Sequence, residues 1–261
     1  MAEDDEKTSV FGDQAGSVEL LWGGRERPSR GPKPALSLER ITRTAMAVAD
    51  LGGLGAVSMQ RVAGELDFTK MSLYRYVPGK TELVALMIDT AMGEPPTLAG
   101  GAPGDWRSAL RTWAEQLAAA FRRHPWLLDA TTGPRIMGPN ELGWAERAIG
   151  ALADTGLHGS ERLDAVVIVT GHVRAITQVS ASLGLGSAQA KEPEQVMSGL
   201  LNELLVGRTD RFPALTAALA SAEDTNSRDQ ALEFGLERIL DGLETYIARR
   251  AQAEHRPNDH R

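Results

Sequence analysis

The sequence contains no cysteine among its 261 residues. Disulfide bonds, thiolate metal ligands and a cysteine nucleophile are therefore excluded, and the composition fits a reducing compartment. Aromatic residues are also scarce, at 5% of the chain, whereas hydrophobic residues make up 42%. This balance is typical of a helical protein rich in alanine and leucine rather than of a disordered chain.

Long hydrophobic runs are missing as well. Apolar runs such as Ala165 to Val169 are far shorter than the roughly 20 residues that a membrane-spanning helix needs. The acidic start MAEDDEK is not followed by the apolar stretch of a secretory signal. We therefore expect a cytoplasmic protein with no membrane partner.

The sequence also lacks the motifs of common enzyme classes. None of its five histidines belongs to an HExxH motif or to another tight ligand pair. A GxSxG nucleophile elbow and a GxxxxGK phosphate loop are both absent. We therefore expect no catalytic residues, no metal site and no cofactor.

The net charge of −7 looks unfavourable for a nucleic-acid-binding protein, but the charges are unevenly distributed. Residues 1–24 carry six acids and one lysine, whereas residues 25–80 carry ten basic and five acidic residues. The second segment therefore has a net charge of +5, with acidic sequence on either side. Local charge sets the interaction with phosphates, so this segment is the candidate for DNA binding. Charge alone does not distinguish it from an ordinary variation in surface charge.

A short helix followed by a tight turn is predicted at the centre of this basic segment. Ser58 is a good N-cap residue, and Val62, Ala63 and Leu66 follow it at helical spacing. Asp67 breaks the pattern, and aspartate adopts the left-handed conformation of a tight turn more readily than most residues.

A second short helix follows the turn directly. Thr69 is a candidate N-cap for a helix from residue 70 to about residue 75, which the Pro-Gly pair at 78–79 ends. Leu73 is expected in the core, and the basic, hydroxyl and aromatic side chains around it are expected on the outer side. Two short helices with this spacing predict a helix-turn-helix.

The run from Leu36 to Asp89 resembles the N-terminal DNA-binding domain of TetR-family transcriptional regulators. The resemblance includes the helix before the helix-turn-helix, the loop GGLGAVS, the segment SLYRYVPGK and the following helix. One departure is Asp67, where the family usually has glycine. The resemblance implies an all-α protein with an N-terminal three-helix DNA-binding domain and a larger helical domain for ligand binding and dimerisation.

The resemblance also implies which side chains meet DNA. They are Ser58, Gln60, Lys70, Met71, Ser72, Tyr74, Arg75, Tyr76 and Lys80. Lys70 and Arg75 suit guanine edges or phosphates, and the N-terminus of the first short helix suits a phosphate. Met71 suits a thymine methyl group, although internal packing is an alternative for this residue.

Residues 1–35 are expected to form a flexible N-terminal arm with a basic end. Arg25, Arg27 and Arg30 alternate with glycine and proline, and we expect them to follow phosphates or enter a minor groove. A solvated linker is the alternative interpretation.

The sequence EPPTLAGGAPG, residues 94–104, marks the clearest boundary. It divides a DNA-binding domain at 36–92 from a ligand-binding and dimerisation domain at 93–261. Helical patterns in the second domain are predicted at 105–123, 125–130, 139–154, 160–183, 193–206, 213–220 and 228–250. By resemblance, the helices at 160–183 and 228–250 form a four-helix bundle across a homodimer axis. Packing within one subunit is the alternative.

A small hydrophobic ligand needs a cavity with apolar walls and a few polar anchors. The candidate lining residues are Trp113, Phe121, Trp126, Met137, Trp144, His172 and Gln178. For the aromatic residues the alternative is ordinary core packing, and for His172 it is an internal carboxylate.

The preferred hypothesis is a ligand-responsive repressor that binds a near-palindromic, double-stranded operator as a homodimer. The alternative from another class is a helical small-molecule enzyme or binding protein with an accessory helix-turn-helix. The sequence leaves an activator or a nucleoid-type DNA-binding protein open as well.

Overall fold

A computed structural model of the protein describes residues 15–23, 35–98, 105–182, 193–221 and 230–254. These ranges contain α-helices and short 3-10 turns and no strand, which confirms the all-α prediction. The helices are α1 (Ala15–Trp22), α2 (Leu38–Gly52), α3 (Met59–Glu65), α4 (Lys70–Tyr74), α5 (Lys80–Met92), α6 (Trp106–Arg123), α7 (Leu127–Ala130), α8 (Pro139–Ala151), α9 (Gly159–Ser182), α10 (Pro193–Leu205), α11 (Pro213–Ser221) and α12 (Gln230–Glu254).

Helix α1 was not predicted. Within the segment expected to form a flexible arm, residues 15–22 form α1, which packs on α5. The indole N–H of Trp22 donates to the carbonyl oxygen of Met137 at 3.0 Å. A short apolar sequence such as GSVELLW gives no clear helical period, so its partner helix decides its conformation.

The chain forms two compact units that do not follow chain order. Unit 1 contains residues 1–98 and 124–150, and unit 2 contains residues 99–123 and 151–261. The chain therefore enters unit 2 at α6, returns to unit 1 for α7 and α8, and then goes back. The sequence-based division at residues 92 and 93 stays a prediction about function, because the compact units cut the chain differently.

Unit 1 is built around α5. Helices α1, α2 and α7 pack on it, and α3 packs on α2 and α4. The fully buried side chains Ile41, Val62, Leu73, Leu83 and Met87 come from four of these helices and form the core of the unit. This core fixes the direction in which the outer face of α4 points.

Unit 2 is built around α9, which packs on both α6 and α12. The buried side chains of α9 are Ala165, Val166, Val169, Val173 and Thr177, at helical spacing. Helix α12 approaches α9 closely at Gly235, where an added Cβ would lie 2.2 Å from the His172 ring. A larger residue at this crossing would therefore displace the His172 ring.

Candidate nucleic-acid interface

Side-chain caps define where the two helices of the helix-turn-helix begin. The Ser58 hydroxyl accepts from the backbone N–H of Arg61 at 3.2 Å, and the Thr69 hydroxyl accepts from that of Ser72 at 3.3 Å. Both caps agree with the sequence-based expectation. In helices of seven and five residues most backbone N–H groups lack an intrahelical partner, so each cap satisfies a large share of them.

The turn between α3 and α4 has the predicted left-handed residue. Asp67 has a φ of 59°, which makes it the non-glycine residue with positive φ in the described ranges. The backbone N–H of Phe68 then donates to the carbonyl oxygen of Ala63 at 3.0 Å and closes the end of α3. The aspartate therefore adopts the left-handed backbone conformation that glycine adopts at a lower cost in free energy.

The inner side of the motif is formed by buried apolar side chains. Val62, Leu73 and Val77 are fully buried, and Leu66 is 4% exposed. Leu73 thus lies in the core, as predicted, and α4 has one buried residue only. Burial of this one leucine orients all the other side chains of α4.

The outer side of α4 displays most of the predicted DNA-contacting groups. Lys70, Met71, Tyr74 and Arg75 are exposed, while Ser72 and Tyr76 are half-buried. The Lys70 ammonium lies 5.4 Å from the centre of the Tyr74 ring, so the two side chains support each other. The Ser72 hydroxyl lies 2.9 Å from that of Thr69 and takes part in the cap.

The remaining predicted contacts flank α4. Gln60 is exposed on the first turn of α3, and Lys80 is exposed as the first residue of α5. Ser58 is also exposed, and it uses its hydroxyl as the α3 cap. Arg25, Arg27 and Arg30 lie outside the described residues.

The seven predicted ligand-lining residues do not all lie in one unit. Trp113, Phe121, His172 and Gln178 belong to unit 2, and Trp126, Met137 and Trp144 belong to unit 1. Trp126 and Trp144 are buried and their indole N–H groups donate to protein acceptors. Met137 is 40% exposed in the loop before α8.

In unit 2, Trp113 and Phe121 are buried on α6. The Arg174 guanidinium carbon lies 5.5 Å from the centre of the Phe121 ring. The Nε2 atom of His172 lies 3.0 Å from the carbonyl oxygen of Leu232, so the internal partner seen here is a backbone carbonyl, whereas the alternative interpretation expected a carboxylate. Gln178 is exposed.

Two carboxylates that join helices in unit 1 were missed by the sequence analysis. Asp50, in the last turn of α2, accepts from the indole N–H of Trp126 at 2.7 Å and lies 2.8 Å from His124 Nδ1. Asp89 of α5 accepts from the backbone N–H groups of Asn140 and Glu141 at 2.9 and 3.2 Å. An acid in the last turn opposes the helix dipole, and this placement of Asp50 was the available signal.

The first turn of α8 is held by a small polar cluster. Burial raises the pKa of Asp89, while the N–H donors of Glu141 and Asn140 act against the rise. Burial also raises the pKa of Glu141, with Arg135 lowering it and the Asp89 charge raising it. A Cβ on Gly138 would lie 2.2 Å from the Asp89 carboxylate, so the loop can reach this position only with glycine.

The comparisons with known proteins bear on both parts of the chain. Residues 41–87 match the family described as "Bacterial regulatory proteins, tetR family", and residues 100–247 match "Tetracyclin repressor-like, C-terminal domain". The chain belongs to the TetR family. It is therefore a DNA-binding transcriptional regulator, and the TetR resemblance stated from Leu36 to Asp89 is confirmed.

Individual TetR-family relatives match over most of their length. The HTH-type transcriptional repressor DrrR1 of Streptomyces coeruleorubidus is 39% identical over 250 residues, which cover 94% of this chain and 90% of the relative. Solved structures of the Streptomyces coelicolor TetR family protein ActR are also similar. Its complex with (S)-DNPA has 27% identity and a TM-score of 0.66, covering 81% of this chain and 98% of that one. Its complex with actinorhodin has 29% identity and a TM-score of 0.65, covering 81% and 96%.

Members of this family are regulators, which favours the transcriptional hypothesis over the enzyme alternative. Across the described residues, no helix combines the length and the hydrophobicity that a membrane crossing requires.

Proposed function

We propose that the protein is a ligand-responsive cytoplasmic repressor that binds a near-palindromic operator as a homodimer. The observation that carries the DNA-binding part is the outer face of α4, where Lys70, Tyr74 and Arg75 are exposed above a buried Leu73. Charged and aromatic side chains on a rigid short helix suit base edges and phosphates of a major groove.

In this proposal, the two domains on either side of the boundary at residues 92 and 93 have different functions. Residues 36–92 bind DNA through Lys70, Met71, Ser72, Tyr74, Arg75 and Tyr76, with Ser58, Gln60 and Lys80 on the flanking phosphates. Residues 93–261 bind the ligand and form the dimer. The basic arm with Arg25, Arg27 and Arg30 adds a sequence-independent contact, and its removal is expected to weaken binding and lower the salt dependence.

The dimer part of the proposal is supported by the outer face of α9. Leu163, Val167, Ile168 and Val179 are 45–67% exposed. Three of them continue with exposed Gly171 and Ala175 in one row at spacings of four residues, and Ile168 lies three residues before Gly171. Within the part of the chain that the structure describes, an added Cβ on Gly171 would meet no atom within 4 Å outside the backbone of its own helix. A glycine inside a helix lowers helix stability by about 1 kcal/mol relative to alanine. Close packing of a second helix against this glycine would explain its presence.

Helix α12 has the same kind of outer surface. Phe234 is 64% exposed and Gly242 likewise has open space where its Cβ would be. We therefore propose that α9 and α12 of two subunits form a four-helix bundle. A two-fold dimer presents two copies of α4 to successive major grooves about 34–36 Å apart, and its operator is accordingly near-palindromic.

The ligand part of the proposal is supported by the aromatic residues of α6 and by ActR, whose structures hold (S)-DNPA and actinorhodin. We propose that a small hydrophobic ligand contacts Trp113 and Phe121, with His172 and Gln178 as candidate polar groups and Trp126, Met137 and Trp144 as further candidates. A ligand releases DNA only through its different affinities for two states of the protein, and switching from mostly bound to mostly free needs about 5 kcal/mol.

A mobility-shift assay on duplex DNA flanking the protein's own gene tests the DNA-binding part. We expect a discrete shift with the wild type, loss of the shift with Tyr74→Ala combined with Arg75→Ala, and an unchanged shift with Arg147→Ala. Arg147 is an exposed arginine of α8, so it controls for loss of one positive charge. Footprinting should show one symmetric protected site, and indiscriminate protection would contradict the proposal.

The regulatory part is tested separately. Actinorhodin is the first compound to add to the shifted complex, followed by other antibiotics and metabolites. A reporter gene behind the protected site should be silenced by the protein and restored by the active compound. Higher expression in the presence of the protein would instead indicate an activator.

The dimer is tested by Val167→Glu, which places a charge on the proposed interface. We expect a dimer for the wild type and a folded monomer for the variant by light scattering. Glu146→Lys, an exposed change on α8, should leave the dimer intact. A dimeric Val167→Glu protein would place the interface elsewhere.

A further inference from the structure

The most exposed large apolar side chain of the helix-turn-helix is Met71, at 72%. Its position on α4 follows from helix geometry, since each residue turns the helix by about 100°. Met71 lies about 160° around the axis from the buried Leu73, as does Arg75. Met71 and Arg75 lie only about 40° apart, so these two side chains form the outermost ridge of α4.

The other outward groups of α4 have neighbours within the protein. The Lys70 ammonium lies over the Tyr74 ring at 5.4 Å, and the Ser72 hydroxyl contacts the Thr69 hydroxyl at 2.9 Å. The buried interior of this region is already filled by Leu73 and Val77, which are both 0% exposed. Internal packing, the alternative role for Met71, is therefore not what the fold shows.

The major groove offers one apolar group to such a side chain, which is the C5-methyl group of thymine. Methionine is flexible and polarisable, so it adapts to a small apolar target without needing a fixed geometry. We propose that Met71 reads a thymine methyl group in each half-site of the operator. This inference rests on the proposed operator binding by α4 and adds to it a residue that determines specificity.

The position of Arg75 limits where in the operator this thymine can lie. Met71 and Arg75 are four residues apart, which is about 6 Å along the helix axis. Base pairs are about 3.4 Å apart along the duplex. If Arg75 binds a guanine in the bidentate manner typical of arginine, the thymine read by Met71 lies within about two base pairs of that guanine.

The test uses deoxyuridine, which keeps every hydrogen-bonding group of thymine and lacks only the methyl group. Each symmetric pair of thymines in the protected operator is replaced in turn, and dissociation constants are measured by fluorescence anisotropy. The proteins are the wild type, Met71→Ala and Met197→Ala. Met197 is a 40% exposed methionine of α10, outside the helix-turn-helix, so its variant is the matched control.

We expect one thymine pair at which the wild type and Met197→Ala lose affinity about fourfold for each methyl group removed. Met71→Ala should bind the unmodified operator more weakly and should be insensitive to deoxyuridine at that pair. Circular dichroism and thermal unfolding should match the wild type, because an exposed side chain contributes little to folding.

Two results would overturn the inference. One is a wild type that binds the operator equally well with deoxyuridine at every thymine. The other is a Met71→Ala protein that keeps the wild-type sensitivity. If the wild type binds no duplex at all, the proposed function fails together with this inference, and that outcome is distinct from binding without methyl sensitivity.

Discussion

Each of the two compact units is stabilised internally by a different kind of contact. Unit 1 contains the shortest helices, of four, five and seven residues, and its specific contacts involve helix ends. Ser58 and Thr69 cap α3 and α4, Asp89 accepts from the first turn of α8, and Asp50 binds the corner before α7.

Unit 2 contains the two longest helices, of 24 and 25 residues, and they associate along their sides. Gly235 allows close contact with His172, and Arg107 and Arg111 of α6 bind Glu237 of α12 at 2.6 and 2.5 Å. Every helix has the same number of unpaired backbone groups at its ends, so short helices depend on end contacts most. Changes at helix ends should therefore disturb unit 1, and changes on helix sides should disturb unit 2.

The largest effect is expected for Asp89→Ala. It removes the acceptor of two backbone N–H groups in a partly buried place, so we expect a loss of about 2–3 kcal/mol in the free energy of unfolding. Asp89→Asn keeps an acceptor oxygen, and burial already disfavours the charge of Asp89, so this control should lose much less. Urea denaturation measures both variants. Equal losses would mean that the carboxylate charge, not the acceptor, holds α8.

A loss of about 2 kcal/mol is expected for Gly235→Ala, because the new Cβ would overlap the His172 ring. The same substitution in a His172→Ala background should cost nothing or even stabilise α12, since alanine favours a helix over glycine by about 1 kcal/mol. A double-mutant cycle in urea measures the coupling between the two positions. Additive effects would show that the helices do not meet at this point.

A loss of about 1 kcal/mol is expected for Thr69→Ala, which removes the cap of α4. Thr69→Ser retains the hydroxyl and should stay near the wild-type value in thermal unfolding. DNA affinity should fall with Thr69→Ala as well, because a frayed α4 no longer presents its outer face. Unchanged stability would indicate that packing of Leu73 alone maintains the helix.

The smallest effect is expected in the pH dependence, and its sign should differ between the units. Burial raises the pKa of Glu141 in unit 1, so the folded state binds protons more readily than the unfolded chain and gains stability as the pH falls from neutral towards 5. The bonds from Arg111 and Arg107 lower the pKa of Glu237 in unit 2, so its contribution is present above the ordinary carboxyl range and is lost as the pH falls through it.

Glu141→Gln and Glu237→Gln test this difference. On acidification, the melting temperature of the wild type should rise relative to Glu141→Gln and should fall relative to Glu237→Gln. Thermal unfolding of the three proteins between neutral pH and about pH 4 gives the two slopes. Slopes of the same sign would contradict the assignment.

Much of the helix-turn-helix was predictable because its determinants are local. Ser58, Thr69 and Asp67 act on backbone groups within a few residues, and they were assigned correctly from sequence. The helix expected directly after the segment SLYRYVPGK is observed as α5.

The long-range contacts were not predictable from local pattern. Asp50 and Asp89 find their partners 76 and 51 residues away, and no spacing rule connects such positions. The same holds for the tryptophans. Trp126 and Trp144 looked like cavity walls, whereas their N–H groups bind Asp50 and the end of α5. Residue type indicated burial correctly and gave no information about which neighbour each ring would have.

The interrupted course of the chain through unit 1 has a practical consequence for studying the DNA-binding half alone. A protein truncated at Leu98 would lack residues 124–150, which contain the donors for Asp50 and Asp89 and the helix α7 that packs on α5. Such a fragment would contain the complete helix-turn-helix, but α2 and α5 would lack the contacts that residues 124–150 provide. Joining residues 124–150 to its end through a flexible spacer would restore the missing helices. The product would be a minimal DNA-binding protein without unit 2, so its DNA binding should not respond to a ligand of that unit.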